Sequence, residues 1–264
     1  MDDILVATDQ AASWGAGLEY AAALAARLRA SLTATYLLPP LAPSVERAPA
    51  TVASEILDLA REQIEQAARA GSTFKIWAAS RGVTASAWHA CRGDVAEVLA
   101  VAANWHDAIV LERSELTPWG LAQRLLLAAD IPLIILPAES ETPRFEHIAI
   151  AWNGSLQATR ALHASLPLLK RASQISLLEG TCTEHGKVAD ILDPYLREHA
   201  LDVTRIRIDA APAEAGEQIL AAAECAADLL IMGAWGRTRL REWAFGGATR
   251  HVLQHAAIPV LLRH

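Results

Sequence analysis

A chain of 264 residues, 53% of them apolar, is long enough for two ordinary domains or one large one with a substantial core. Its net charge of −7 argues against a general nucleic-acid binder, which needs a basic face, and no apolar run reaches the roughly 18 residues that span a bilayer. The opening Met1-Asp2-Asp3 lacks the basic start of a secretion signal, so a cytoplasmic protein is expected.

The first strand signal, ILVATDQ at 4–10, ends in a small polar turn and leads into the helical pattern LEYAAALAARL, so the first strand is expected near 3–8. Further strands are expected near 31–37, 83–89, 107–111 and 132–136, with helices between them. The segment PPLAPSVERAP at 39–49 interrupts this alternation, and AESETPR at 138–144 reads as a polar linker. The pattern then begins again. IAIAWNG at 148–154 leads into ATRALHASLPLL, which makes Asn153 the counterpart of Asp9. The second set of strands falls near 147–152, 174–179, 202–208, 228–232 and 259–262. The halves also close alike, with DAIVL running to IPLIIL in one and DLLIM to IPVLL in the other. A repeat of roughly 120 to 145 residues is a domain duplication, since solenoid units are far shorter. The boundary belongs near residue 141, giving domains at 1–140 and 141–264. Short apolar runs alternating with helical patterns predict an α/β fold of parallel strands joined by crossover helices.

The stretch IMGAWGRTRLREWAFGGATRHVL, 231–253, carries the strongest functional signal. Gly233 follows a strand, where open parallel sheets collect ligands, and glycines let a phosphate approach backbone amides with no Cβ in the way. Gly246 and Gly247 stand at the start of the next helix, whose unpaired N–H groups and dipole favour an anion. Arg237, Arg239, Arg241 and Arg250 make this loop basic within an acidic protein. Its counterpart in the first half, LERSELTPWGLAQRLL at 111–126, is shorter and keeps one glycine, Gly120, so it cannot build the same cradle.

These residues resemble the universal stress protein family, in its tandem two-domain form. Gly233, Gly236 and Gly246 match the spacing of the family's nucleotide-binding members, in which the last glycine is followed by Ser or Thr; Gly247 stands there instead. ILVATD and RGDVAEVLAVA (92–102) in the first half are also similar to the family. The resemblance implies two Rossmann-like, adenine nucleotide hydrolase-like domains, each a five-stranded parallel sheet of order 3-2-1-4-5 with helices on both faces. It implies pairing through last strands, hence an internal pseudo-dimer with room for a homodimer. It also implies that Ala151, Trp152 and Asn153 face the loop beginning at Met232 and Gly233, with Asn153 in place of an aspartate near the adenine. Glu179 or Gly180 would line the base pocket. The phosphates would meet Gly236, Gly246, Gly247, Ala248 and Thr249, Thr249 being a substitute hydroxyl. Trp152 and Trp235 either stack on a purine or fill the pocket as core residues, the second being the commoner role of a buried tryptophan.

The implied ligand is ATP or another adenine nucleotide, with or without Mg. No Lys-Ser/Thr ending, HExxH, GxSxG or cysteine pair accompanies the glycines, so a regulatory stress-response binder is expected ahead of a slow ATPase or autophosphorylating enzyme, or a nucleotide-independent scaffold. Cys91, Cys182 and Cys225 read as reduced structural thiols; Cys182 and His185 have ligand-like spacing with no second ligand pair nearby. His89, His163 and His255 read as structural, whereas His251 lies at helical spacing from Gly247, within reach of a phosphate.

Overall fold

The computed structural model describes residues 1–9, 14–113, 119–137, 144–180, 189–211, 213–234 and 247–264. In the first half the elements are β1 (Asp3–Thr8), α1 (Ala16–Leu28), β2 (Ser31–Leu38), α2 (Ala50–Ser80), β3 (Ser86–Arg92), α3 (Val95–Ala103), β4 (Ala108–Glu112), α4 (Trp119–Ala128) and β5 (Leu133–Leu136). A short 3-10 helix, Pro43–Arg47, occupies the proline-rich interruption. The second half repeats the plan with β6 (His147–Trp152), α5 (Leu156–Leu169), β7 (Gln174–Gly180), α6 (Ala189–Glu198), β8 (Thr204–Ile208), α7 (Ala215–Ala226), β9 (Leu229–Gly233), α8 (Gly247–His255) and β10 (Val260–Arg263). Every expected strand is present. The third begins three residues later than its pattern suggested, because Gly82 N–H and Val83 N–H still bond back to Ala79 and Ala78 carbonyls at the end of α2.

Two compact units divide the chain, one of residues 2–110 and the other of residues 111–264 with Met1. In the first, β1 pairs parallel with β2 and β4, and β2 with β3, giving the order β3-β2-β1-β4. In the second, the order β8-β7-β6-β9-β10 is 3-2-1-4-5 in the numbering of the repeat, and every pair in it is parallel. β5 lies against β10 as an antiparallel neighbour, with Ile135 opposite Val260 and Leu133 opposite Leu262. Arg113 N–H donates to Leu136 O at 2.8 Å as the chain leaves β4. Compactness therefore divides the chain earlier than the sequence repeat does, since β5 covers the edge of β10 that would otherwise present unpaired backbone groups.

Burial explains the apolar runs. Residues 148–152 of β6 and 229–232 of β9 are buried throughout, as expected for parallel strands covered on both faces. Helix starts are set locally. Asp94 caps α3 by accepting from Glu97 N–H at 3.1 Å, and Ser155 caps α5 by accepting from Ala158 N–H at 3.2 Å. Among the described residues no helix is long and apolar enough to cross a membrane.

Candidate functional site

The carboxyl ends of β6 and β9 lie side by side, with Ala151 opposite Met232 in the ladder. The strand order reverses here: β7 continues to one side of β6 and β10 to the other side of β9. Such a reversal opens a crevice above the sheet. Trp152, the last residue of β6, is 5% exposed, so its ring belongs to the core and is not a free stacking surface. Asn153 follows it into solvent. Its Oδ1 accepts from Ser155 N–H at 3.1 Å, closing a turn in which Gly154 has φ +72°. An aspartate could accept the same bond, so Asn153 keeps the turn while exchanging a charge for an amide donor.

On the β7 side, Glu179 stands opposite Trp152 and is tied to Arg205, which also pairs with Asp193 of α6. A Cβ on Gly180 would lie 4.0 Å from Trp152 O, an ordinary contact. Glycine there is a matter of room, not of necessity.

Gly233 has a sharper reason. A Cβ at this position would stand 2.5 Å from Ala158 N and 2.6 Å from Gln157 C, in the first turn of α5. The strand end and the helix start are in backbone contact, and only glycine permits it. Beyond it, Ala234 N–H donates to Arg263 O at 2.8 Å and Ala234 O faces His264 Nδ1 at 3.1 Å. The Arg263 side chain, 15% exposed, pairs with Asp130 at 3.0 Å. Burial pulls its guanidinium below the ordinary value; Asp130 opposes that shift and Arg160 adds to it.

α8 begins at Gly247, which is exposed; among the described residues nothing lies within 4 Å of a Cβ added there. Thr249 is 5% exposed, so the open position in this first turn is Gly247 and not the threonine expected to supply a substitute hydroxyl. No acidic residue stands in that turn to compete with an anion. Trp235, Gly236, Gly246 and the loop arginines 237, 239 and 241 lie outside the described residues, as do Cys182 and His185. His251 stacks on His255 with ring centroids 4.4 Å apart, and its Cβ faces α7. His163 of α5, itself exposed, stacks on Tyr195 of α6 at 4.7 Å, and burial pushes the Tyr195 hydroxyl up, with Glu198 adding to it. Among the described residues no three His, Cys, Asp or Glu side chains gather as a metal site.

Two positions escaped the sequence reading. Ser155 was legible as an N-cap, the serine that follows Asn-Gly before a helical pattern. Gly216, inside α7, is packed so closely on α8 that a Cβ would stand 2.7 Å from Ala248 Cα. An isolated glycine in a helical pattern was its only sign.

The model of the universal stress protein family matches residues 1–137 and 144–264. No curated protein matches the chain. Among solved structures, a universal stress protein from Archaeoglobus fulgidus DSM 4304 superimposes with a TM-score of 0.70 at 15% identity, covering 99% of this chain and 97% of its own. A structure described as a putative universal stress protein from Pseudomonas aeruginosa UCBPP-PA14 gives 0.59 at 16% identity, covering 99% and 92%. At these identities the likeness concerns the fold.

Proposed function

The chain belongs to the universal stress protein family, and on that premise we propose that its second half is a regulatory site for an adenine nucleotide. The observation that carries this reading is the pairing of β6 with β9 at the reversal of strand order, which sets exposed Asn153 beside the Gly233 strand end. Asn153 presents an amide to the base edge while its oxygen holds the Ser155 turn. Trp152 forms the floor, and Gly180 leaves room beside it. Ala151, Met232 and Gly233 supply backbone between base and phosphates. The amides at the start of α8, from Gly247 through Ala248 to Thr249, take the phosphate end, with Gly236 and Gly246 in the connecting loop. A magnesium ion would accompany the phosphates of ATP and share their charge.

Regulation fits this chemistry better than turnover. The residues named above bind and orient, and none is a nucleophile set against a base. Occupancy of the crevice would change the surface offered to a partner. Native mass spectrometry of the purified protein, before and after addition of ATP, tests the reading: a mass increment equal to one adenine nucleotide is expected, and an unchanged mass at saturating ATP would reject it.

A further inference from the structure

Resting on the nucleotide reading, we infer that Gly216 of α7 is a positioning residue for the phosphate end of the crevice. Gly216 is the second residue of α7, a first-turn position that ordinarily accepts a side chain, so a glycine there asks for a reason. The neighbours supply one. A Cβ on Gly216 would stand 2.7 Å from Ala248 Cα, 3.0 Å from Ala248 O and 2.8 Å from His251 Cβ. Two of these atoms are backbone and the third is fixed to it, so no rotamer change could relieve the overlap. α7 and α8 therefore meet without an intervening side chain at the turn that begins with Gly247.

The other half provides an internal control. DVAEVL, 94–99, aligns with EAGEQI, 214–219, so that Glu97 matches Glu217 and Ala96 matches Gly216. The burial agrees: Ala96 and Ala103 are buried seven apart on α3, as Gly216 and Ala223 are on α7. The methyl group is present in the half that lacks the glycine loop and missing in the half that has it. Its absence lets α8 lie where its first amides can face an anion at the head of the crevice. A methyl group would displace this turn, because packed interiors transmit small volume changes to their neighbours. Hydrogen bonds to phosphate would then be misaligned, while the base end, built on β6 and β7, would stay as it is.

The test compares two ligands that differ only at that end. Gly216→Ala in the full-length protein, titrated calorimetrically, should lose about tenfold or more in ADP affinity while adenosine binding changes by less than about twofold. Equal losses for both ligands would make Gly216 a general packing residue and overturn the inference; so would unchanged ADP affinity. Should the variant fail to fold, hydrogen exchange on the wild-type protein decides. ADP should then slow exchange at 214–220 together with 247–253 and leave 94–100 unaffected. Slowing at 247–253 alone would overturn the inference. Absence of ADP binding by the wild type would strike the nucleotide reading itself, and would be seen before any variant is made.

Discussion

At the end of its fourth strand the first half carries Glu112, where the second half carries Gly233. The same substitution of bulk for space recurs with Ala96 against Gly216. The links after the first strand of each half differ most. In the first half Trp14 precedes α1 and packs with Trp77 at 5.3 Å, Phe74 at 5.7 Å and Trp88 at 5.8 Å. In the second half the link is the polar Asn153-Gly154-Ser155 turn, with Asn153 exposed. One topology thus uses its switch point in two ways. The first half packs the residue before its first helix into an aromatic cluster on α2 and β3, and the second keeps backbone close to backbone with polar groups at the rim.

Substitution at matched positions breaks or sharpens this contrast. The largest effect is expected for Gly233→Ala, whose methyl group meets the α5 backbone: a loss of about 2–3 kcal/mol in urea unfolding, against less than about 0.5 kcal/mol for Glu112→Ala. A mild Gly233→Ala would show that the close approach is relaxed in solution. Next comes Asn153→Ala, which removes both the Ser155 acceptor and the base-edge amide. ADP affinity should drop about tenfold, be largely kept in Asn153→Asp, and be indifferent to Asp9→Ala.

Gly247→Ser is the informative gain. None of the described residues crowds a side chain there, and a hydroxyl at the helix start can donate to a phosphate oxygen, so ADP should bind about threefold to tenfold more tightly with adenosine unaffected. No gain would place the phosphates elsewhere. Smallest is Arg205→Ala. Its ties to Glu179 and Asp193 are well exposed to solvent, so unfolding free energy should fall by less than about 1 kcal/mol, and by less still in high salt. A larger loss would mean that this pair braces the β7 side of the crevice.

The strand pattern and its repetition were readable in the sequence because parallel strands buried on both faces are written as short apolar runs such as LLIM and IAIA. The later start of β3 was not, since α2 and the Gly82 turn extend through hydrogen bonds that periodicity does not record. Within the site, Asn153 and Gly247 were legible by position. Gly233 was legible as a glycine needing close approach, but the group that approaches it in the structure is the first turn of α5. Trp152 could have stacked or packed, and burial decided for packing. Gly216 and the Trp14 cluster remained hidden for one reason: each depends on which distant segment becomes a neighbour, and no local pattern states that.

The proposed reading assigns the nucleotide to the second half alone, so the stoichiometry of ADP binding in calorimetric titration of the full chain is the measurement to make. One equivalent per chain, weakened about tenfold by Asn153→Ala and untouched by Asp9→Ala, is the expected result. Two equivalents, or no heat at saturating nucleotide, would contradict the division of roles described above.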